Sequence, residues 1–371
     1  MVKFIQKNQN KIEVVNNYYL ESRYLKNENL EDRIFKLNNC LEFGENINFT
    51  TKDVIINGCH LNKSNSNNSH LFLKKEINNI QYLVLSIPSK INNNNNNNNV
   101  VFKCFGISYS KDFTVDIKKI LLYTKTFAKI FDEYNHENNL HNLRVGKNAY
   151  LLTSELEKIF IEQDINKLSR LKSTFKYKYP EYNFEEEYEI LKNKFKLFIE
   201  NSRQKFNSNY LLELKSMAIL HDIGKLLIPS EILNLPRKLT NDEFDLIKKH
   251  TIYGKQILEN IKGLEFASSI VLSHHEKWDG NGYPNNLKKY EIPMGALIIS
   301  PVDVFDALIT NRAYRTAMNL KDILDMTRGN YKNPISGKYE KRDNFKGNFN
   351  PIIDVFMFEN IYEKFIKTYQ N

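Results

Sequence analysis

The sequence has 371 residues, of which 41% are hydrophobic and 26% are charged. This composition excludes a chain that is disordered throughout, and the length allows two domains or one domain with large additions. Lys and Arg number 53 against 44 Asp and Glu, and the net charge of +9 suits an anionic partner without choosing among nucleotide, nucleic acid and membrane surface.

The cysteines and the apolar runs bear on the compartment. The three cysteines are far apart and form no CxxC pair, which excludes a disulfide scaffold and favours a reducing compartment. The first ten residues, MVKFIQKNQN, contain no apolar stretch of the kind found in signal peptides, and no later run is long enough for a membrane span. We therefore expect a cytoplasmic protein.

Residues 1–130 are expected to form a small α/β domain. Asn62–Ser69 and Asn92–Asn99 are low-complexity tracts that cannot bury apolar surface, so they are predicted loops. They lie around and between segments with the composition of strands: Leu71–Lys74, Gln81–Ile87 and Val100–Ser108. Asp116–Tyr134 has the apolar periodicity of a long helix.

From about residue 131 to the end, the pattern predicts helices almost throughout. Thr240 and Glu243 form the capping-box pattern that begins a helix. The other segments with helical periodicity are Leu140–Phe160, Leu211–Leu220, Phe266–His274 and Ile299–Thr310. Residues 163–210, rich in Lys, Glu, Tyr and Phe, are interpreted as a helical insertion that could form a lid, a dimer surface or nothing functional.

Histidines and carboxylates recur in local motifs after residue 200. His221 and Asp222 are adjacent in LHDIGK, where both can ligate metal and the following Gly224 can end a helix. Further candidate ligands lie on or near later predicted helices: His250, His274, His275 and Asp303. Upstream, Glu137 and His141 have the i, i+4 spacing that places both on one helical face.

These motifs resemble a known family. HDIGK, HTIYG, HHEKWDGNGYP and DVFDALITNRAYR occur in the order typical of the HD-GYP phosphodiesterases, a branch of the HD superfamily. The resemblance covers roughly His136–Phe356. It implies a mainly α protein whose helical domain holds two or three divalent metal ions, Fe or Mn. It also implies hydrolysis of cyclic di-GMP to linear pGpG, GMP or both.

The resemblance assigns roles residue by residue. Asp222 is the bridging and catalytic carboxylate, and Glu137 the extra ligand of members with a third metal. Lys225, also given a catalytic role, and Arg312 match residues that contact substrate phosphate. The segment around Gly282, Tyr283 and Pro284, with Asp279, lies beside the substrate and is linked to protein partners. The implied ligand set is Glu137, His141, His221, Asp222, His250, His274, His275 and Asp303.

The chemistry of these residues agrees with that assignment. Two cations a few ångströms apart can bind and deprotonate a water molecule that attacks phosphorus in line. Lys225 and Arg312 would stabilise the negative charge that grows on the phosphoryl oxygens. A guanidinium suits two phosphate oxygens, whereas an ammonium acts as a point charge.

Each assignment has a plainer alternative. His221 and Asp222 could share a buried hydrogen bond, and His141 or Glu137 could be ordinary surface groups. Lys225 and Arg312 could be helix-end cations. The DGNG sequence around Asp279 could serve only as a turn. Asp306 could be a surface helix acid.

Several positions depart from the family pattern. Asn286 stands before Leu287 where members usually have Gly, and Leu297 stands where they usually have Arg. Pro301 is unusual within a helix and predicts a kink. Asn350 replaces the Asp of the closing GxFDP motif, after a second insertion at about residues 332–346. No predicted metal ligand is lost.

The N-terminal region weakly resembles the closing half of a GAF-type sensor domain, in pattern and position alone. A small packing domain without a ligand is the alternative. For the whole chain, the alternatives are another HD-type phosphohydrolase, for example one acting on cyclic GMP-AMP, or a catalytically silent module that binds a cyclic dinucleotide or a partner. We expect no nucleic-acid polymer as partner, and the long helix predicted between the domains would suit a homodimer.

Overall fold

The computed structural model describes residues 13–24, 33–38, 47–50, 54–57, 70–77, 79–92, 99–110, 120, 124–125, 127–128, 140–206, 209–310, 316–327, 331–332, 339–340 and 347–367. The chain forms two compact units. The first comprises Met1–Val115, Gly224–Leu233 and Thr240–Ile257, and the second comprises Asp116–Ile223, Asn234–Leu239 and Leu258–Asn371. The division near residue 130 into two domains stays a prediction.

An antiparallel sheet of seven strands forms most of the first unit. Its order is β3-β2-β1-β7-β6-β5-β4, so the first strand pairs with the last. Leu83 pairs with Ile107 and Leu85 with Phe105, and the two leucines are buried two residues apart on one face. The strands are β1 (Glu13–Tyr24), β2 (Arg33–Asn38), β3 (Ile47–Thr50), β4 (Val54–Asn57), β5 (Leu71–Ile77), β6 (Ile80–Asn92) and β7 (Asn99–Ser110).

The three predicted strands correspond to β5, β6 and β7, but four further strands precede them. These were missed because segments such as EVVNNYYLESRY mix polar and apolar residues without a clean alternation. Asn92 pairs with Asn99, so the Asn run falls at the connection between β6 and β7. Residues 93–98, the tract 62–69 and most of the predicted helix 116–134 lie outside the described residues.

Beyond residue 140, the described chain is mainly helical, as predicted. The three helices of the first unit are α5 (Ser230–Leu233), α6 (Asn241–Lys248) and α7 (His250–Glu259). Those of the second unit are α1 (His141–Phe160), α2 (Ile165–Lys178), α3 (Phe184–Phe206), α4 (Tyr210–Ile219), α8 (Ser268–Ser273), α9 (Met294–Ile309), α10 (Leu320–Thr327), α11 (Pro351–Val355) and α12 (Tyr362–Ile366). A π-helical segment, Phe356–Ile361, joins the last two, and β8 (Tyr331–Lys332) pairs with β9 (Tyr339–Glu340).

Short 3-10 helices occur at Ile223–Leu227, Glu265–Ala267 and Lys289–Glu291. The capping box predicted at the start of α6 is present: the Thr240 amide donates to Glu243 Oε2 at 2.8 Å, and the Glu243 amide donates to Thr240 Oγ1 at 3.3 Å. Within the described ranges, no helix combines the length and apolar character that a membrane span requires.

The core of the second unit forms where α1 packs against α4 and α9. Leu152 and Leu156 of α1, Leu214 of α4, and Ile298 and Val302 of α9 are fully buried there. Because α1 begins at His141, α4 ends just before His221, and α9 contains Asp303, this packing brings three predicted ligands to one end of the core. Pro301 lies inside α9, as predicted.

Two helices, α2 and α3, occupy the segment that was interpreted as an insertion. Aromatic side chains fill the space between them, with Phe175 edge-on to Phe184 at 5.2 Å between ring centroids. The pair is also tied to the C-terminal helices, because Lys178 and the Tyr179 hydroxyl both donate to Asp354 Oδ2 at 2.6 Å. The hairpin formed by α2 and α3 is therefore an integral part of the second unit.

Glu155 also links helices that are distant in the sequence, because its carboxylate binds lysines of α1, α2 and α12. These contacts lead to a prediction about stability. Its buried carboxylate accepts from Lys158 of α1 at 2.8 Å, Lys167 of α2 at 3.0 Å and Lys364 of α12 at 2.7 Å. Burial alone would raise the pKa of Glu155, but the three ammonium groups outweigh it and lower the pKa to about 2. We expect Glu155→Gln to reduce the free energy of unfolding by about 1–3 kcal/mol at pH 6.

The pH dependence of that loss has a definite sign. A carboxyl with a lowered pKa stabilises the folded state above its unfolded pKa, here 4.5, and the contribution disappears as the pH falls towards 2. Urea unfolding should therefore show the full difference at pH 6 and a shrinking one below 4.5. Glu157→Gln, a half-buried residue of the same helix, is the control. An equal difference at pH 6 and pH 3 would contradict this account.

Candidate metal centre

Asp306 orients the first predicted ligand. His141 Nδ1 lies 2.6 Å from Asp306 Oδ2, and the Arg144 guanidinium donates to both oxygens of the same carboxylate, at 2.7 and 3.0 Å. Burial would raise the pKa of Asp306, but His141 and Arg144 lower it to about 2. The carboxylate is thus ionised, His141 donates through Nδ1, and its Nε2 is left to bind a cation. The interpretation of Asp306 as a surface acid is wrong, because its side chain is fully buried.

Two further histidines of the second unit, His221 and His274, are oriented by main-chain carbonyls at helix ends. His221 Nδ1 lies 2.7 Å from the Ala218 carbonyl oxygen, and His274 Nδ1 lies 2.7 Å from that of Val271. A carbonyl can only accept, so Nδ1 carries the proton and Nε2 offers a lone pair. His250, in the first unit, has the same local geometry, with Nδ1 2.7 Å from the Ile247 carbonyl oxygen.

His141, His221 and Asp303 form one ligand group. Their candidate ligand atoms all lie within 4.8 Å of one another. Asp303 Oδ1 is 3.3 Å from His141 Nε2 and 3.6 Å from His221 Nε2. Both Nε2 atoms are buried and, within the described chain, make no hydrogen bond of ordinary geometry. Two buried imidazole lone pairs converging beside a carboxylate fit a divalent cation.

Asp222 joins this group to a second one that includes His274 and His275. Its Oδ2 is 3.3 Å from His221 Nε2 and 3.9 Å from His141 Nε2, whereas its Oδ1 is 3.9 Å from His274 Nε2. The ligand atoms of Asp222, His274 and His275 also lie within 4.8 Å of one another. The two oxygens of one carboxylate therefore face different ligand groups, which is the arrangement required of a bridging ligand.

The charges of the centre require a compensating positive charge. Burial lowers the pKa of His221, but Asp222 and Asp303 outweigh it and raise the pKa to about 10. Burial also opposes the shift at His141, where Asp303 and Asp306 raise the pKa above its usual 6.5. Protons would supply this charge without metal, and a divalent cation would displace them on binding.

The segment Glu276–Ile292, here called the GYP segment, is held together by contacts to its own main chain, and its Tyr283 amide donates to the His275 carbonyl oxygen at 3.2 Å. The buried Glu276 carboxylate accepts from the amides of Asn285 at 2.7 Å and Leu287 at 3.0 Å. A Cβ on Gly282 would lie only 2.3 Å from the Lys277 nitrogen and 2.4 Å from Glu276 Cα. Gly282 thus permits a close backbone approach that no side chain allows.

Tyr283 is the residue of this segment that reaches the centre. Its ring lies against that of His275, with centroids 4.8 Å apart and an interplanar angle of 31°. Burial, together with the charges of Asp222 and Asp303, raises the pKa of Tyr283 above its ordinary value of 10. The hydroxyl therefore stays protonated at neutral pH and can donate a hydrogen bond. Pro284 follows across a cis peptide bond.

A comparison with protein families matches the part of the chain that holds most of these groups, but not His141. The family model described as HD domain matches residues 195–335. This range includes the proposed ligands His221, Asp222, His250, His274, His275 and Asp303. This part of the chain is similar to HD domains. This similarity and the cluster of His and Asp side chains together indicate a divalent-metal site. The resemblance to HD-GYP phosphodiesterases is confirmed in this part of the chain, while the GAF-like region stays a prediction.

Curated relatives are similar to part of this chain. A cyclic di-GMP phosphodiesterase of Thermotoga maritima is 44% identical over 115 residues, which are 30% of this chain and 31% of the relative. A probable cyclic di-GMP phosphodiesterase of Vibrio cholerae is 43% identical over 32% of this chain and 29% of the relative. A 3'3'-cGAMP-specific phosphodiesterase of the same species is 44% identical over 28% of this chain and 20% of the relative. The chain thus spans less than a third of each relative.

The remaining predicted site residues are not part of these two ligand groups, or they lie outside the described residues. Asp279 is exposed, and its two carboxylate oxygens accept from the Asn281 amide at 2.9 Å and from the Asn281 side chain at 3.0 Å. These contacts agree with the interpretation as a turn, and the substrate role of Asp279 stays a prediction. Lys225 is half-buried, in the 3-10 helix that follows Asp222. Glu137 and Arg312 lie outside the described residues.

Three glycine and asparagine positions have local explanations that the sequence did not provide. A Cβ on Gly224 would meet the His250 carbonyl oxygen at 1.9 Å, so this glycine serves the packing of α7 rather than only a turn. Asn286 has φ of 56°, a conformation that Gly favours and Asn tolerates, which explains the departure before Leu287. Asn350 caps α11 by accepting from two amides at 3.0 and 3.1 Å, as an Asp would.

Sequence reasoning missed Arg144 and Glu276 as supporting residues. Glu276 stands directly after two predicted ligands, in HHEKW, and its position beside them is a usable signal. Arg144 is three residues after His141, and i, i+3 spacing places both on one helical face. Neither spacing shows which carboxylate or amide the side chain will contact.

Proposed function

We propose that this chain is a metal-dependent phosphodiesterase that hydrolyses cyclic di-GMP to linear pGpG, GMP or both. The observation that carries the proposal is the position of Asp222 between two ligand groups. Two cations joined by a carboxylate suit hydrolysis of a phosphodiester. The names of the relatives, two of them phosphodiesterases of cyclic di-GMP, supply the substrate.

We also assign His250 as a metal ligand, because its Nδ1 lies 2.7 Å from a main-chain carbonyl oxygen, as that of His274 does, and its Nε2 is left to bind a cation. Fe or Mn suits the mixture of imidazole and carboxylate donors. We assign Glu137 to a third ion. Bound cations would supply positive charge to the phosphodiester and activate a water molecule for in-line attack.

The residues of the chain itself bind and orient the substrate. The protonated Tyr283 hydroxyl donates to the dinucleotide beside the centre, and Lys225 and Arg312 balance the charge of its phosphates. Gly282 and Pro284 fix the turn that presents Tyr283, with Asp279 closing it. Hydrolysis forms one bond from water oxygen to phosphorus and breaks one P–O3′ bond, and the released 3′ oxygen takes a proton.

A second candidate substrate is cyclic GMP-AMP, which is favoured by the relative that is named for 3'3'-cGAMP. A silent module that binds a cyclic dinucleotide, a protein partner at the GYP segment, a homodimer and a cytoplasmic location are further predictions of the sequence. The surplus of basic residues is assigned to binding of small anions, not of a nucleic-acid polymer.

The test is hydrolysis by protein purified without oxygen and supplied with Mn(II) or Fe(II). Cyclic di-GMP and 3'3'-cGAMP are incubated in parallel, products are separated by chromatography, and bound metal is measured on the same samples. We expect linear products, mainly from cyclic di-GMP. Preference for 3'3'-cGAMP would replace the substrate, and bound metal without cleavage of either compound would favour the silent module.

A further inference from the structure

The hairpin of α2 and α3 holds the far end of the GYP segment through one tyrosine. The Tyr290 hydroxyl donates to the Glu187 carbonyl oxygen at 3.1 Å and also to the Glu187 carboxylate. At the other end of the same residue, Lys194 Nζ donates to the Tyr290 carbonyl oxygen at 2.8 Å. Residues seven apart lie on one face of a helix, so one face of α3 holds Tyr290 at two points.

Tyr290 is in turn packed against Trp278, a residue shortly after the proposed ligands His274 and His275. Its ring lies edge-on to that of Trp278, with centroids 4.8 Å apart and an interplanar angle of 86°. Trp278 is 2% exposed, and its carbonyl oxygen accepts from the Lys289 amide at 3.0 Å. Trp278 stands three residues after His275 and five before Tyr283. Contacts therefore join α3 to Trp278. Gly282, next to Tyr283, packs against the backbone of Glu276 and Lys277, which directly precede Trp278.

The backbone between Trp278 and Tyr290 includes conformations that need stabilising contacts from other residues. Asn286 and Lys289 have φ of 56° and 51°, in the left-handed region that side chains other than Gly rarely adopt. Such conformations persist when surrounding contacts over-determine them. Glu276 fixes the near part of the segment through the Asn285 and Leu287 amides, and α3 fixes the far part through Tyr290.

We propose that Tyr290 is a positioning residue, and that the α2–α3 hairpin uses it to set where Tyr283 meets the dinucleotide. The inference rests on the proposed phosphodiesterase function and assigns a role to the predicted insertion. The hairpin acts on substrate affinity through the GYP segment, and leaves the metal ligands unchanged.

The first test compares Tyr290→Phe with Tyr188→Phe. Both remove one hydroxyl, but the Tyr188 hydroxyl of α3 donates to the Ile159 carbonyl oxygen of α1 at 3.0 Å, and among the described residues it makes no hydrogen bond to the segment. Because the segment loses the hydrogen bonds that fix its far end to Glu187, we expect Tyr290→Phe to raise KM for cyclic di-GMP about tenfold or more. Bound metal and kcat should stay within about twofold of the wild type.

Three results would overturn the proposal. They are an unchanged KM in folded Tyr290→Phe protein, an equal rise of KM in Tyr188→Phe, and a loss of bound metal together with kcat at constant KM. Glu187→Gln, which keeps an acceptor for the hydroxyl, should retain most of the affinity. Glu187→Ala should raise KM more than Glu187→Gln does.

A second readout does not depend on catalysis. Trp278 is the single tryptophan of the sequence, so its fluorescence reports on the base of the GYP segment alone. Tyr290→Phe should increase quenching of this fluorescence by acrylamide, and Tyr188→Phe should not. If the wild type hydrolyses no cyclic dinucleotide, the proposed function fails, and the quenching comparison still decides whether α3 positions the segment. Equal quenching in both variants and the wild type would reject that role.

Discussion

Asp222→Ala is expected to abolish hydrolysis of cyclic di-GMP, with a loss of at least about 10³-fold in kcat. Asp222 is the side chain whose two oxygens face different ligand groups, at 3.3 Å from His221 Nε2 on one side and 3.9 Å from His274 Nε2 on the other. In the proposed two-metal centre, its removal would take a ligand from both ions at once. It would also remove a negative charge that balances the two cations in a buried site.

Metal content and activity should therefore fall together in this variant. The measurement is a chelator competition with Mn(II), followed by an assay with cyclic di-GMP at saturating metal. We expect weaker binding of both ions, so excess Mn(II) should not restore the rate. Asp245→Ala is the matched control, because its carboxylate is 64% exposed and pairs with Lys248 on the surface of α6. Two tightly bound ions in Asp222→Ala would contradict a bridging role.

The residues proposed as metal ligands could be selected from the sequence because their signals are local. His221 with Asp222, and His274 with His275, are adjacent pairs inside recognisable motifs, and each sits at a helix end that periodicity locates. The orientation of their rings also follows from local structure, since the acceptors at Ala218 and Val271 are only three residues away. What lies within one helical turn is thus readable from sequence.

Contacts between distant segments could not be predicted in this way. Asp306 and His141 are separated by 165 positions, and only the packing of α1 on α9 buries the acid beside the ring. The sequence did contain a partial signal, because Asp303 and Asp306 have the i, i+3 spacing of one helical face. The contact of Tyr290 with Glu187, across 103 positions, had no signal of this kind.

The fold shows the same division between local and distant information. Helices such as α1 and α4 were predicted within one or two residues, since their apolar stripes repeat every three or four positions. The strands β1 to β4 were missed, because their pairing partners, not their own composition, define them. Paired residues of β1 and β7 are 80 or more positions apart in the sequence. Periodicity within a short stretch of sequence cannot predict such pairing.

Asp306→Asn is expected to weaken one ion and leave the other. Asp306 contacts His141, and it holds the ring with Nδ1 protonated and Nε2 directed towards Asp303. An amide lacks the charge that fixes this state and that pairs with Arg144. Loss of such an orienting carboxylate typically costs about 10–100-fold in metal affinity.

Titration with Mn(II) in the presence of a chelator should then resolve two classes of site. In Asp306→Asn, one class should weaken by about 10–100-fold while the other stays close to the wild type. Excess Mn(II) should restore most of the hydrolysis, in contrast to Asp222→Ala, because every assigned ligand is still present. Equal weakening of both classes would show that Asp306 supports the whole centre. No weakening would show that Arg144 and main-chain packing hold His141 without it.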